Sequence, residues 1–308
     1  MKSSILFSVI VVLSLAGCTK RQGSDLRHGT LHVLATESHL PLVQQLVSDH
    51  RSIYPDVTIT VSGATTRGAI VDMVNDSVHC ILVDRRLNDE ERRAAKKAER
   101  NIGETEIARD ALVVLVNPLN KVASLSTAEL GSILSGQTKL WSNVSGSKLN
   151  GAIELCLTGR NSGLYELVTR NFFTLQKDVP LAAVAASQES VLQYVAANPE
   201  ALGIISFALW KDTTQSASQR WKQNVRAVDL MGKEADGVVS AVKATQNTIY
   251  YQVYPLTYSL YIYTSEKMPG TAYGFSAFVT GEIGQRDFLY AGLVPKTMPY
   301  RTIQLIQE

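Results

Sequence analysis

Residues 153–168 read IELCLTGRNSGLYELV, a pattern that predicts a strand, a tight turn and a helix. In that order, the first backbone N–H groups of the helix lack partners within the helix and point at the turn, where an anion fits. Arg160 supplies a fork-shaped cation, Ser162 a hydroxyl donor and Gly163 room for close approach of the backbone. The simpler interpretation, with Ser162 as an N-cap and Arg160 in solvent, stays open.

Further apolar strand-like runs alternate with helical patterns along the rest of the chain. We predict additional strands at 31–35, 57–61, 80–83, 111–116, 181–186 and 202–207. Such alternation predicts a mostly parallel α/β architecture, in which ligands bind beyond the carboxyl ends of the strands. The turns after Ala35, Val61 and Leu157 fall at such ends and are therefore candidate anion sites.

Composition limits the classes of protein to consider. A chain of 308 residues suits two domains, and 45% apolar with 19% charged residues is ordinary for a globular protein. Because 30 basic residues face 28 acidic ones, we expect no nucleic-acid partner. The five histidines form no HxH or HExxH pair and there is no G-x-S-x-G motif, so we expect no metal, no cofactor and no catalytic residue.

The first residues are typical of a targeting segment. Lys2 precedes an apolar run at 5–15 that is short for a membrane span, and the run ends in LAGC. This ending resembles the lipobox of bacterial lipoproteins. The resemblance implies a signal peptide at 1–17, a lipidated Cys18 and a tether over 18–29.

Two other features have a structural and a functional interpretation. Cys80 and Cys156 lie inside apolar strand-like runs, which favours two free buried thiols, although export would also permit a disulfide. Residues 250–263 hold six tyrosines and predict a long strand broken at Pro255. We expect these rings to pack in the core, with an aromatic ligand box as the alternative.

The order of these pieces resembles the phosphate-binding component of bacterial ABC phosphate importers. The resemblance covers most of the chain after the leader and is carried by stretches in the family's order. They are YPDVTITVSGATTRG (54–68), DRRLNDEE (84–91), IARDALVVLVNP (107–118), LSTAELGSILSGQTKLWSNV (125–144), TGRNSGLYE (158–166), YVAANPEALGIISF (194–207), YPLTYSLYIY (254–263) and AGLVPK (291–296).

This resemblance implies an α/β, two-lobe, periplasmic-binding-protein-like fold with two crossing hinge strands. Residues 30–112 and 257–308 would form lobe I and residues 113–256 lobe II. By position, it implies ligand contacts at Ser38, His39, Thr65, Asp84, Arg160, Ser162 and Gly163. His39 has two interpretations, a pH-sensitive ligand contact or a solvated loop residue.

Asp84 is the contact with the clearest chemical meaning. Singly protonated phosphate has a proton for a carboxylate to accept, whereas sulfate has none and would be repelled. The alternatives for Asp84 are a partner for Arg85 or Arg86 and an N-cap. The chain departs from the family pattern nearby, because only Asn161 separates Arg160 from Ser162 and Leu164 stands where the family has Thr.

Two functions are therefore expected to compete. The first is a lipid-anchored, extracytoplasmic, monomeric receptor that captures phosphate or a related oxyanion for an ABC permease in a bacterial membrane. The second is a surface lipoprotein of the same fold with a degenerate cleft, which acts as a sensor or interaction protein.

Overall fold

The structure is a computed structural model that describes residues 26–173, 178–211, 221, 223–233, 237–266 and 269–297. The predicted signal peptide, Cys18 and most of the predicted tether lie outside these residues. Among the described helices, none has the length and apolar character needed to cross a membrane.

The strands and helices are numbered here in chain order. The strands are β1 Gly29–Thr36, β2 Val57–Ala64, β3 Cys80–Val83, β4 Gly103–Val116, β5 Ser124–Leu125, β6 Glu154–Thr158, β7 Ala183–Ala185, β8 Ala201–Ser206, β9 Arg226–Ala227, β10 Asp229–Lys233, β11 Val239–Val242, β12 Thr257–Thr264 and β13 Val294–Pro295. The helices are α1 Leu40–Ile53, α2 Thr66–Val74, α3 Asp89–Lys97, α4 Thr127–Leu134, α5 Gly163–Phe172, α6 Gln188–Ala197, α7 Phe207–Lys211, α8 Gln246–Tyr250, α9 Thr271–Thr280 and α10 Glu282–Tyr290.

Strand β4 joins the two halves of the main sheet. Its first part pairs with β12 as far as Ala111, and its second part pairs with β8 from Leu112 onward. The first half-sheet has the order β2-β1-β3-β12-β4, and the second has the order β4-β8-β6-β7. Both therefore share one continuous strand.

The pairing directions differ between the edges and the centre of this sheet. Strand β1 is parallel to β2 and β3, and β6 is parallel to β7 and β8. By contrast, β12 and β8 are antiparallel to β4. The prediction of a mostly parallel sheet is right for the outer strands of both half-sheets and wrong for the strands next to β4. There, β12 and β8 pair directly with β4 in the antiparallel direction.

The length of β4 also exceeds the prediction. The apolar run 111–116 is entirely buried, as expected for a strand covered on both faces. The preceding residues, 103–110, are also strand, although GETEIARD is mostly polar. Several residues of 103–110 are exposed or half-buried, so this part of the strand needs no apolar sequence. The apolar run therefore predicts only the second half of β4. A separate small sheet of order β11-β10-β5 does not follow from the sequence pattern either.

The tyrosine-rich segment divides into three parts. Tyr250 ends α8, a non-strand segment follows, and β12 begins only at Thr257, so the predicted long strand is wrong in its first half. The later rings of Tyr254, Tyr258 and Tyr263 are buried, as core packing requires. Their hydroxyl groups find partners inside the protein, such as the backbone carbonyl of Leu112 for Tyr254.

Two smaller expectations have clear outcomes. Cys80 and Cys156 are buried free thiols, which confirms the prediction. Burial raises the pKa of the Cys156 thiol to about 11, so it stays protonated. At the other end of the chain, α9 and α10 are separate helices, because Gly281 adopts an extended conformation between them.

Close packing of β8 against α6 yields a stability prediction. A Cβ atom added at Gly203 would lie 2.6 Å from Val191 Cγ1 and 2.7 Å from Val195 Cγ2. We expect Gly203→Ala to lower the free energy of unfolding by about 1–3 kcal/mol, because an overpacked core must shift. Urea denaturation measures this change. Gly63→Ala in β2 is the control, since its Cβ would make only ordinary contacts, with Leu40 at 3.4 Å and Glu37 at 3.8 Å. Equal losses for both variants would contradict the packing argument.

Candidate functional site

The turn at residues 158–163 forms as the sequence predicts. Strand β6 ends at Thr158, and α5 begins at Gly163 with Ser162 as its N-cap. The Ser162 hydroxyl accepts a hydrogen bond from the backbone N–H of Tyr165 at 3.2 Å and bonds to the Thr158 hydroxyl at 2.6 Å. The beginning of α5 is thus fixed from both sides, while its first backbone N–H groups lack intrahelical acceptors.

A cavity of about 810 Å³ lies at this turn and brings together the starts of three helices. Each helix contributes residues from its first turn or from the segment before it. These residues are Ser38 and Pro41 for α1, Ser162 and Gly163 for α5, and Ser187 and Gln188 for α6. The N-terminal ends of helices carry partial positive charge, so their convergence creates a region that attracts an anion.

Side chains from the two half-sheets meet across this cavity. Gln188 Nε2 donates a hydrogen bond to the Ser38 hydroxyl, which follows β1 in the chain. Gln188 Oε1 accepts a bond from the backbone N–H of Ser206 at 2.7 Å. Gln188 therefore connects the start of α6 and the end of β8 with the segment before α1.

Asp84 lies directly behind Gly163 rather than on the cavity wall. Its side chain is 3% exposed, and Thr66 Oγ1 donates a hydrogen bond of 2.5 Å to Asp84 Oδ1. Asp84 Oδ2 is buried and has no hydrogen-bond partner among the described residues. A Cβ at position 163 would lie 2.3 Å from this oxygen, so only glycine fits. Burial raises the pKa of Asp84, since the charged form loses hydration.

A second buried carboxylate, Asp110, connects three parts of the fold. Asp110 Oδ2 accepts a hydrogen bond from the Tyr258 hydroxyl at 2.7 Å and contacts His39 Nε2 at 3.0 Å. Asp110 Oδ1 accepts bonds from the backbone N–H groups of Ala111 at 2.7 Å and Ala208 at 3.2 Å. Burial and the neighbouring carboxylate raise the pKa of Tyr258 well above its ordinary value, so the phenol remains a donor.

Two arginines near the site have very different surroundings. Arg85 is 5% exposed and bonds to both carboxylate oxygens of Glu91, at 2.7 and 2.9 Å. Its Nε also donates to Glu166 of α5 at 2.5 Å, which links the two half-sheets. Arg160 is 68% exposed and pairs at the surface with Asp178, at 2.8 Å.

The structure therefore separates the residues that the sequence groups together. Ser38, Ser162 and Gly163 line the cavity. His39 and Asp84 are buried and do not reach the cavity wall. Because His39 is buried, the interpretation of this residue as a solvated loop residue is wrong.

The remaining predicted contacts lie elsewhere in this structure. Thr65 caps α2 by accepting a bond from the backbone N–H of Gly68, and its neighbour Thr66 makes the contact with Asp84. Arg160 lies outside the cavity. Asp84, Thr65 and Arg160 do not line this cavity together, because the short turn after β6 directs Arg160 toward solvent. Their roles as ligand contacts stay predictions.

Leu164 explains part of this difference from the family pattern. Its side chain is 2% exposed and belongs to the main hydrophobic core. The family has threonine at this position, which would offer a hydroxyl group. Leu164 contributes apolar packing instead. The first turn of α5 is therefore held by burial as well as by its cap.

Three residues at or near the cavity are absent from the sequence-based predictions, and only one of them has a signal in the sequence. Asp110 has a detectable signal, since it is a lone acid beside the apolar run ALVVLV. Gln188 follows the capping residue Ser187, but nothing local indicates its bond to Ser38. Asp287 lies on α10 and reaches the cavity only through packing of that helix. No group of His, Cys, Asp and Glu side chains in the described ranges has the arrangement of a metal site.

Comparison with known proteins places this geometry in a family. The family model described as "PBP superfamily domain" matches residues 20–282. The chain is 24% identical to the phosphate-binding protein PstS of Staphylococcus saprophyticus over 78% of this chain and 71% of that one. It is 23% identical to the PstS of Staphylococcus haemolyticus over 74% and 68% of the two chains.

A solved structure supports the same fold. The crystal structure of an ABC-type phosphate transport receptor from Vibrio cholerae aligns with a TM-score of 0.68 at 19% identity. The alignment covers 86% of this chain and 99% of that one. At this identity, the likeness establishes the two-lobe, periplasmic-binding-protein-like α/β fold. The named relatives are binding and transport proteins rather than enzymes, as the sequence indicates.

The contrast between the two arginines is testable by their effect on stability. We expect Arg85→Ala to lower the free energy of unfolding by at least about 2 kcal/mol, because it leaves the carboxylates of Glu91 and Glu166 unpaired. Arg160→Ala should cost at most about 1 kcal/mol, as for an exposed ion pair. Chemical denaturation of both variants compares the two costs. A larger cost for Arg160→Ala would contradict the positions described here.

Asp287 gives a prediction for the pH dependence of stability. Burial and then the nearby Asp49 raise the pKa of Asp287 from 3.8 to about 6. The folded state therefore holds a proton that the unfolded state releases between those values, so the stability contribution falls as the pH rises through this range. We expect Asp287→Asn to raise the melting temperature at pH 7.5 and to have little effect at pH 4.

The matched control for this measurement is Glu282→Gln on the same helix, whose side chain is exposed. Thermal unfolding followed by circular dichroism at both pH values makes the comparison. A gain for Asp287→Asn of the same size at pH 4 and pH 7.5 would show that ionisation of Asp287 is not its cause.

Proposed function

The chain belongs to the PBP superfamily domain family, and we propose that it is an extracytoplasmic binding protein that captures phosphate in the described cavity for an ABC importer. Relatives named phosphate-binding proteins support the ligand. In this proposal the protein makes and breaks no covalent bond. It replaces the hydration of the ion with hydrogen bonds from the two half-sheets.

One observation carries the proposal, namely the convergence of the starts of α1, α5 and α6 on a single cavity. Unpaired N–H groups and aligned peptide dipoles favour an anion at this point of the cavity. The hydroxyl groups of Ser38 and Ser162 and the backbone at Gly163 supply further donors. Arg160 pairs with Asp178 at the surface, so the proposal does not depend on its guanidinium group.

Asp84 would provide selectivity among oxyanions. Its Oδ2 atom is a buried acceptor without a partner among the described residues. A phosphate that keeps a proton would donate to it, whereas sulfate would meet repulsion. Since Gly163 separates Asp84 from the cavity, this contact requires the first turn of α5 to move aside.

The position of Asp84 also favours a second candidate function. Its carboxyl group packs against Gly163 at the start of α5, where the sequence places the anion. A carboxylate of the protein thereby packs against the helix start that the predicted anion would contact. In this alternative, the chain is a surface lipoprotein of the same fold with a degenerate cleft, acting as a sensor or interaction protein.

Several parts of the proposal concern the whole chain. We place lobe I at residues 30–112 and 257–308 and lobe II at 113–256, supported by the change of partner within β4 after Ala111. The LAGC sequence supports a lipid anchor at Cys18 that holds a monomer at a bacterial membrane. If the protein delivers phosphate to an ABC importer, it also binds the permease of that importer in the membrane.

Isothermal titration with phosphate, arsenate and sulfate at pH 7.5 tests the function. We expect heat from phosphate and arsenate and far weaker binding of sulfate. Gly163→Ala should lower phosphate affinity at least about tenfold, because its Cβ collides with Asp84 and displaces the start of α5. Gly159→Ala in the same turn is the control, since its Cβ meets only Val184, at 3.6 Å. No heat from any of the three ions in the parent protein would favour the degenerate cleft.

The role of Asp84 has its own test. We expect Asp84→Asn to narrow the difference in affinity between phosphate and sulfate, because the amide removes the negative charge that repels sulfate. The same titrations measure this ratio. An unchanged ratio would exclude Asp84 as the source of selectivity.

A further inference from the structure

The cavity carries more negative than positive side chains, which conflicts with binding of a bare phosphate dianion. Carboxylates outnumber cations along its wall: Glu37, Asp49, Glu189 and Asp287 face Lys211 and Arg286. Lys211 Nζ donates to Gln246 Oε1 at 2.9 Å, so part of its hydrogen-bonding capacity is used within the protein. An anion held by the helix starts therefore shares the cavity with an excess of like charge.

Asp49 and Asp287 are the centre of this negative region. They lie on α1 and α10, and the Asp49 carboxylate accepts a bond from Gln45 at 3.0 Å. Asp287 is 9% exposed and lines the cavity, and its Oδ2 atom has no hydrogen-bond partner among the described residues. Burial, with Asp49 nearby, raises the pKa of Asp287 to about 6. Arg286 partly offsets the charge of Asp287, but burial and Asp49 outweigh it.

An aromatic ring borders the same region. Tyr290 is three residues after Asp287 on α10, so both lie on one face of the helix and both line the cavity. The Tyr290 side chain is 74% exposed. The face of a tyrosine ring attracts an ammonium group, which adds to the preference set by the carboxylates.

The size of the cavity also favours a ligand larger than a single phosphate ion. A volume of about 810 Å³ is typical of sites that hold organic ligands much larger than one tetrahedral ion. A ligand that spans the cavity can place one end at the helix starts and the other at Asp49 and Asp287.

We propose that the ligand is a phosphate monoester or phosphonate that carries a protonated amine, with the amine bound between Asp49, Asp287 and Tyr290. The anionic end rests on the function proposed above, and this inference adds the chemical class of the ligand. A zwitterion resolves the conflict of charges, because each end meets groups of opposite sign. A monoester fits better than a diester, since three helix starts favour the larger number of free oxygens and since a monoester anion can keep the proton that Asp84 accepts, whereas a diester anion has none.

Isothermal titration with four compounds tests this proposal on the intact protein. They are orthophosphate, ethyl phosphate, phosphoethanolamine and glycerophosphoethanolamine. Ethyl phosphate matches phosphoethanolamine except for the amine, and glycerophosphoethanolamine keeps the amine on a diester like that of a lipid headgroup. We expect phosphoethanolamine to bind at least about tenfold more tightly than ethyl phosphate, and more tightly than the diester.

The double variant Asp49→Asn/Asp287→Asn should abolish this preference. Its ratio of affinities for phosphoethanolamine and ethyl phosphate is expected to fall to about one. Ethyl phosphate itself should bind more tightly, because two like charges leave the cavity. Glu282→Gln, an exposed carboxylate on α10 outside the cavity, is the control that keeps the parent ratio.

The outcomes separate this inference from the proposed function. Equal affinity of the parent for ethyl phosphate and phosphoethanolamine, with normal binding of orthophosphate, overturns the amine site and leaves phosphate capture intact. Absence of binding by all four compounds overturns both. Tighter binding of glycerophosphoethanolamine than of phosphoethanolamine overturns the assignment to a monoester. A preference for the amine that persists in the double variant excludes Asp49 and Asp287 as its source.

Discussion

The hydrogen bonds to the buried carboxylate of Asp110 are the constraint on which the site depends. Asp110 lies in β4 just before the strand changes partner from β12 to β8. It receives the Tyr258 hydroxyl from β12 and the backbone N–H of Ala208 from α7, and it contacts His39 before α1. A fully buried acid needs all of these partners, because an unpaired charge in the interior is costly. This requirement fixes the segments around the cavity relative to one another.

Other contacts extend the same arrangement toward the cavity. Arg85 joins α3 and α5 through Glu91 and Glu166, and Gln188 joins α6 to Ser38. These bonds bring helix starts from both half-sheets to one place, where their dipoles act together. In the proposed function, the donors come from backbone geometry more than from cationic side chains, so an exposed Arg160 does not argue against that proposal.

The same geometry leaves two kinds of charge in one cavity. The helix starts favour an anion, while Asp49 and Asp287 on the facing helices favour a cation. Glycine at position 163 lets α5 lie against Asp84, so selectivity and access at the anionic end depend on one backbone position. A periplasmic-binding-protein-like fold thus offers both an ion site and room for a larger, charged organic ligand.

The sequence by itself determined the local elements, since strand periodicity, N-caps and the turn at 158–163 depend only on neighbouring residues. It also indicated Ser162 and Gly163, because polar turns after strands lie at the edge where ligands bind, while the family resemblance implied Ser38. Only the tertiary structure decided that β4 is shared and antiparallel at the centre, that Thr66 rather than Thr65 meets Asp84, and that Arg160 faces solvent. It also brought Asp287 to the cavity. These outcomes depend on contacts between segments distant in sequence, for which short-range patterns carry no signal.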